Sequence, residues 1–262
     1  MRANCSAVVL DKRTAILKNM RSDSTPQQLP LPVRLRLASV FNGFYAGPNH
    51  LALQALQTIA SGSLAGCDTP IVSPIVFLYG ATGVGKTHLL QALCAQVGTQ
   101  KRMASYLPLR ELHRYGAELL SGTQTLDVLC LDDVGCIAEQ REWNLALFNL
   151  HREFDERGAK LVLADTESPA QLPFVLPDLK SRIMAGALLR LQPLDDAQRI
   201  EALRLHAQQR GFELPEEVGS YLLRRLPRDM HGLCQFIDEL DVALLAAQRR
   251  LSVPFVRTLL LD

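Results

Sequence analysis

The sequence predicts an α/β protein with a parallel sheet flanked by helices and a small all-helical domain after it. Short apolar strands alternate with helical patterns up to about residue 192, and uninterrupted apolar strands between helices are typical of a parallel sheet. A glycine-rich turn joins the first of these strands to a helix. After Pro193-Leu194 only helical patterns follow, so a domain boundary is predicted between residues 193 and 194.

The individual elements are predicted from apolar spacing and from turn residues. Strands are expected at Ile75–Tyr79, Met103–Leu107, Val128–Leu131, Leu161–Ala164 and Leu188–Leu191. Helices are expected at Asn49–Ala60, with Asn49 as its cap, and at Leu109–Ser121, Trp143–Arg157 and Leu179–Met184. The C-terminal helices are expected at Asp196–Arg210, Pro215–Arg225, Arg228–Ala247 and Val253–Leu260.

Composition excludes several classes of protein. The 262 residues are 48% hydrophobic, enough for a sizeable core, and the formal net charge of +1 shows no global basic excess for nucleic acid. The six cysteines have no zinc-site spacing, so Cys94 and Cys130 are interpreted as reduced packing residues. No apolar run is long enough for a membrane span, and residues 1–19 lack a signal-peptide core. A cytoplasmic protein that does not contact membranes is expected.

The glycine-rich turn fits the P-loop pattern G-x-x-x-x-G-K-[ST] and lies between strand and helix, as that motif requires. Its glycines let backbone N–H groups converge on a phosphate, at the positive end of the following helix. Lys86 is predicted to reach the β- and γ-phosphates, and Thr87 to ligate Mg²⁺. The nucleotide-binding segment is Gly80, Ala81, Thr82, Gly83, Val84, Gly85, Lys86, Thr87 and His88.

Two carboxylates, Asp132 and Asp133, follow the apolar strand Val128–Leu131. This strand is expected to lie beside Ile75–Tyr79, so that Asp132 faces the Mg²⁺ held by Thr87. Asp133 is a candidate catalytic residue that would polarise an attacking water. The alternative is a strand that ends in an acidic turn.

The N-terminal residues are predicted to differ from the rest. Residues 1–27 read as a disordered leader, and Met20 is an alternative start of translation. Residues 28–38 form an extended peptide and linker, in which two prolines forbid helix. This peptide either binds in a partner's groove or packs on its own domain. Its candidate partner-binding residues are Gln28, Leu29, Pro30, Leu31, Pro32 and Val33.

Several separated motifs resemble the AAA+ core of the replication initiator DnaA. They are residues 41–52, residues 77–90, Leu131-Asp-Asp133 and Leu179-Lys-Ser-Arg182. Residues 210–219 and 247–256 are similar to the Hda family of DnaA-homologous regulatory inactivators, and Gln28–Pro32 is similar to that family's sliding-clamp-binding motif. The resemblance covers residues 39–262 and implies an AAA+ core over 39–193 and a helical lid over 194–262. The basic DNA-binding domain that follows the lid in DnaA has no counterpart before Asp262.

The resemblance assigns further roles to single residues. It implies that an aromatic segment packs around adenine, namely Phe41, Phe44, Tyr45 and Gly47. Arg182 matches the arginine finger, which acts on a neighbour's γ-phosphate, and Arg228 matches the sensor 2 arginine, which reaches from the lid to the phosphates. The sensor 1 aspartate is replaced by Thr166, one residue after Asp165, so inefficient self-hydrolysis is expected.

The resemblance thus implies a regulatory adaptor that holds ADP or ATP with Mg²⁺. It would dock on a DNA polymerase III sliding clamp (beta subunit), contact DNA only through the clamp, and supply Arg182 to DnaA-bound ATP, preventing re-initiation of replication. A stand-alone DNA-stimulated ATPase or helicase loader is one alternative, and a clamp-tethered binder with an inert nucleotide site is another. Formation of a homodimer is left open.

Overall fold

The computed structural model describes residues 40–62, 73–247 and 250–260. The predicted leader 1–27, the start at Met20 and the peptide and linker 28–38 lie outside these residues. The predictions made for them remain predictions.

The N-terminal described residues form 3-10 turns, helices and strands in alternation. Turns at Phe41–Gly43 and Gly47–Asn49 lead into the first helix. In chain order the elements are α1 (His50–Ser61), β1 (Ile75–Tyr79), α2 (Lys86–Thr99), β2 (Ala104–Pro108), α3 (Leu109–Leu112), β3 (Val128–Asp132), α4 (Arg141–Arg157), β4 (Lys160–Asp165), α5 (Pro177–Met184) and β5 (Ala187–Arg190). Further 3-10 turns occupy His113–Tyr115, Ala117–Leu120, Thr123–Thr125 and Val134–Ile137.

The C-terminal described residues are helical: α6 (Asp196–Gln209), α7 (Glu216–Arg225), α8 (Met230–Ala247) and α9 (Val253–Leu259). They surround a core of their own, which includes Leu203, Leu222 and Ile237. Asp195 caps α6 through a reciprocal pair of hydrogen bonds with Gln198, which fixes the point where the lid begins.

The five strands form one parallel sheet in the order β2-β3-β4-β1-β5. The predicted fold class, a parallel sheet flanked by helices and followed by a helical lid, is therefore confirmed. The expectation that β3 lies beside β1 is wrong, because β4 pairs with both and separates them. All strands still end at the same edge, so the residues that follow β1 and β3 can meet there.

Both faces of the sheet are covered, which explains why its strands are almost entirely apolar. Alternate residues of β1 point to opposite sides, since side chains alternate along a strand. Ile75 and Phe77 join a core that includes Trp143 of α4. Val76 and Leu78 join a second core, built with α1 and α2. The P-loop thus begins from a strand that is fixed on both faces.

Two local predictions are wrong. The helix predicted at Leu109–Ser121 is one short α-helix followed by two 3-10 turns, because the chain breaks at Gly116, whose φ is 87°. Asn49 does not cap α1 with its side chain. Its amide instead donates to the Gln192 carbonyl (2.9 Å) and accepts from the Gln192 N–H (2.7 Å), which ties the start of α1 to the strand-to-lid connection.

Cys94 and Cys130 are buried free thiols, as predicted. Within the part of the chain that the structure describes, no helix has the length and apolar character needed to cross a membrane.

Candidate functional site

The P-loop lies between β1 and α2, as the motif predicts. Gly80, Gly83 and Gly85 all have a positive φ, which residues other than glycine rarely adopt. Gly80 also has no room for a side chain, because a Cβ there would lie 2.4 Å from the Leu191 carbonyl oxygen. The loop conformation therefore depends on these glycines.

The Lys86 ammonium lies inside this loop. It donates to the carbonyls of Gly80 (2.6 Å) and Ala81 (3.1 Å), and the side chain is buried. Burial lowers the pKa of Lys86, while the nearby charges of Asp132, Asp133 and Asp165 oppose that shift. A cation held in a glycine-rich loop fits a phosphate ligand.

Thr87, at the start of α2, and Asp132, at the end of β3, meet at the edge of the sheet, although β4 lies between β1 and β3. The Thr87 hydroxyl donates to Asp132 Oδ2 (2.6 Å), and the Tyr106 hydroxyl donates to the same oxygen (3.0 Å). Burial raises the pKa of Asp132, and these two hydrogen bonds oppose the shift. A hydroxyl beside a carboxylate is a donor set of the kind that Mg²⁺ takes together with nucleotide phosphates. The described residues contain no cluster of three acidic, histidine or cysteine side chains that could hold a metal without such phosphates.

Asp133 adopts the left-handed conformation, with φ 56° and ψ 50°. Its Oδ2 accepts from Arg110 Nε at 2.9 Å, and the Arg110 side chain is 76% exposed. The candidate water-polarising carboxylate is therefore already paired with an arginine. Sequence reasoning missed Arg110, because the sequence did not reveal that β2, which ends two residues before Arg110, is the neighbour of β3.

The carboxylate at the end of β4 belongs to Asp165. Its Oδ2 accepts from the Gly135 N–H (2.6 Å), and its Oδ1 accepts from the Thr166 N–H (2.7 Å). Asp165 thereby holds the turn that follows Asp133. Thr166, at the position matched to sensor 1, contributes its own N–H and hydroxyl to Asp165.

The aromatic segment divides into a buried residue and others near the P-loop. Phe41 is buried in the core formed with α1 and α2. Phe44 stacks on His88 with a centroid distance of 6.0 Å, and a Cβ on Gly85 would lie 2.7 Å from its ring. Tyr45 lies close to Gly47, whose φ is 43°. Of the predicted adenine contacts, Phe44 is thus placed against the P-loop, while Phe41 packs in the core.

Arg228 lies between α7 and α8 and is 64% exposed. It pairs with Asp196, the first residue of α6, at 3.1 Å, and the other oxygen of Asp196 contacts Arg199 at 2.8 Å. The next residue, Asp229, approaches the P-loop, because a Cβ on Gly83 would lie 2.5 Å from its Oδ1. The lid segment that carries Arg228 therefore reaches the P-loop, with the arginine itself held by Asp196.

Arg182 lies on α5 and is exposed. Its guanidinium packs over the Phe148 ring, 4.8 Å from the centroid, and Nη1 is 3.4 Å from His151 Nδ1. Both contacts are with α4, not with the P-loop. The structure therefore places Arg182 at the surface, while it brings Lys86, Thr87 and Asp132 together in one site.

Sequence reasoning also missed Tyr106, His151 and Asp196. The apolar alternation of β2 gives Tyr106 no distinguishing signal. His151 contacts Arg182, which lies 31 positions further along the sequence, and Asp196 contacts Arg228, which lies 32 positions further along. Only a tertiary structure could have identified these partners.

Comparisons with known proteins agree with this geometry. The model of the bacterial DnaA ATPase domain matches residues 35–190, and the model of the Hda lid domain matches residues 196–260. Domain III of the replication initiation protein DnaA from Thermotoga maritima is 24% identical, with a TM-score of 0.71, over 88% of this chain and 98% of that one.

Two further solved structures share the fold. AMPPCP-bound DnaA from Aquifex aeolicus is 24% identical, with a TM-score of 0.65, over 79% of this chain and 67% of that one. RuvB from Thermotoga maritima is 15% identical, with a TM-score of 0.56, over 83% and 72%. The family match covers more than half of the chain, and the lid match follows it directly. The chain belongs to the family of the bacterial DnaA ATPase domain and carries a lid of the Hda type.

Proposed function

We propose that this chain is a regulatory AAA+ adaptor that switches off the replication initiator DnaA. Membership of the DnaA family relates the chain to the control of replication. In the proposal, a nucleotide fixes the core and lid, residues 28–33 dock on a sliding clamp loaded on DNA, and Arg182 completes the ATPase site of a bound DnaA. Hydrolysis of the DnaA-bound ATP then prevents re-initiation.

The exposed Arg182 carries the proposal. A guanidinium stays charged at all relevant pH values and can contact phosphate oxygens in bidentate fashion. At the surface of α5 it is available to a triphosphate on another molecule. An arginine supplied in trans contributes roughly 10³–10⁵ in the rate of nucleotide hydrolysis. This effect is large enough to decide whether DnaA keeps its ATP.

The chain's own P-loop would hold ADP or ATP, and Thr87 and Asp132 would hold its Mg²⁺. Lys86 and the N-terminus of α2 would contact the phosphates, Phe44 would lie at the base, and Arg228 would approach from the lid. When bound, the nucleotide and its metal supply the charges that these groups recognise. The pairing of Asp133 with Arg110 favours retention of nucleotide over turnover, because it occupies the carboxylate that would orient water.

Docking on the clamp is proposed from the sequence of residues 28–33. Because it contains two prolines, we expect this peptide to be extended, and extended apolar peptides bind in grooves of partner proteins at low entropic cost. Docking would concentrate the adaptor beside replicating DNA, since tethering raises the effective concentration of a second binding event.

A reconstituted assay tests the proposal. ATP-bound DnaA is mixed with the full chain, with and without clamp loaded on DNA, and the conversion to ADP is followed. The wild type should accelerate hydrolysis most with loaded clamp, and Arg182→Ala should abolish the acceleration. Arg204→Ala is a matched control, because this helical arginine lies in the lid and pairs there with Glu201. Equal acceleration by Arg182→Ala would refute the role of the finger.

The completeness of the Lys86, Thr87 and Asp132 site favours a second candidate, a stand-alone DNA-stimulated ATPase of the helicase-loader type. ATP turnover by the isolated chain distinguishes the two functions. Turnover that DNA increases, and that Asp133→Asn removes, would support the second candidate.

A further inference from the structure

The guanidinium of Arg182 is exposed, but one side of it rests on α4. Phe148 and His151 lie one helical turn apart on α4 and both face Arg182. Phe148 offers a ring face and His151 offers Nδ1, at 3.4 Å from Nη1. His151 is 5% exposed, so the surface under Arg182 includes a buried histidine.

The chemistry of this contact requires one protonation state of the imidazole. A guanidinium has only donors, so a favourable contact needs a lone pair on His151 Nδ1. The neutral imidazole with its proton on Nε2 provides that lone pair. The imidazolium has a proton on both nitrogens and a positive charge, and it would repel Arg182 at this distance.

The groups around His151 favour the neutral ring. Burial and then the positive charge of Arg182, from α5, lower the pKa of His151. The charge of Asp155, one turn further along α4, opposes this shift. The net direction is downward, so the ring is neutral at pH 7 and above and gains its proton below the ordinary histidine value of about 6.5.

We propose that His151 is the positioning residue of Arg182: its neutral imidazole holds the guanidinium in the orientation presented to a partner, and protonation releases it. The proposal rests on the proposed function of Arg182, which it deepens with a dependence on pH. Stimulation of DnaA-bound ATP hydrolysis is full above about pH 6.5 and declines as the pH falls, because the proton that His151 gains removes the acceptor.

The contact can be tested on the isolated chain, without any partner. Imidazole ¹⁵N and ¹H shifts are followed by NMR through a pH titration of the wild type and of Arg182→Gln. We expect the Nε2–H tautomer of His151 in the wild type, and a higher pKa in Arg182→Gln because the neighbouring charge is lost. An unchanged His151 titration, or the Nδ1–H tautomer, would overturn the proposal.

The consequence for activity is measured as a ratio. DnaA-bound ATP hydrolysis is compared between wild type and His151→Gln from pH 7.5 to 5.5, so that the partner's own pH dependence cancels. Glutamine keeps an acceptor but does not titrate, so the ratio of wild type to His151→Gln should be near one at pH 7.5 and should decrease as the pH falls below about 6.5. His151→Leu, without an acceptor, should be slower at both values.

A ratio that is constant with pH would reject the positioning role. If neither protein stimulates hydrolysis at any pH, the proposed function fails, and the NMR titration decides the contact by itself.

Discussion

The pairing of Arg228 with Asp196 predicts that Asp196→Asn tightens nucleotide binding. In the structure Arg228 is held by Asp196 at 3.1 Å, so reaching a phosphate requires that ion pair to break. Both side chains are largely exposed, at 64% and 49%, and exposed ion pairs contribute about 0.2–1 kcal/mol. Removing this competition should therefore raise the affinity for ADP by roughly 1.4- to 5-fold, since about 1.4 kcal/mol corresponds to a factor of ten.

Titration of a fluorescent ADP analogue measures this affinity. The effect of Asp196→Asn should be present in the wild-type background and absent in Arg228→Ala, which makes the double-mutant cycle the decisive comparison. Glu201→Gln is the matched control, because Glu201 lies on the same helix and pairs with Arg204 instead. An unchanged affinity in Asp196→Asn, or an equal change without Arg228, would show that Asp196 does not compete for this arginine.

Three further predictions concern other parts of the chain. Asn49→Ala leaves the Gln192 backbone without its two partners and should lower the free energy of unfolding by about 1–2 kcal/mol in urea denaturation; an unchanged midpoint and slope would contradict this. Joint replacement of Gln28 and Leu31 by alanine should weaken clamp binding by roughly thirtyfold in surface plasmon resonance, as expected for anchor residues, and equal binding would assign residues 28–33 to a linker. Because folding lowers the pKa of His151, the unfolded chain binds the proton at a higher pH than the folded chain does. The free energy of unfolding is therefore unaffected by His151 above about pH 6.5 and decreases as the pH falls below that value. Between pH 7.5 and 5.5, denaturation should show a smaller decrease in this free energy for His151→Gln than for the wild type.

Local sequence patterns were sufficient for the P-loop and for the strands. The apolar run Ile75–Tyr79 and the glycines after it need no distant partner to be identified, and the observed β1 has these same bounds. The contact of Thr87 with Asp132 was also predictable, because parallel strands end at one edge. Neighbouring strands, by contrast, were not, since β4 pairs between β1 and β3 although it follows both in the chain.

Two of the remaining differences have a common cause, which is that a side chain contacts a group distant in the sequence. Asn49 is a residue type that often caps helices, but here both the nitrogen and the oxygen of its side-chain amide hydrogen-bond to the Gln192 backbone. Asp196 has the sequence position of an ordinary acidic residue in the first turn of a helix, yet it forms an ion pair with Arg228. The third difference is local: Leu109–Ser121 has helical spacing, but Gly116, with a φ of 87°, interrupts the helix. Propensity describes the local chain only, and tertiary contacts decided the roles of Asn49 and Asp196.

The central claim is that Arg182 acts on ATP bound to another molecule. Single-turnover hydrolysis of DnaA-bound ATP, measured at saturating adaptor and loaded clamp, tests it directly because saturation separates catalysis from binding. We predict that Arg182→Ala reduces the maximal rate constant by roughly 10³-fold or more while the half-saturating concentration stays within a factor of about three. A maximal rate constant equal to that of the wild type would contradict the account.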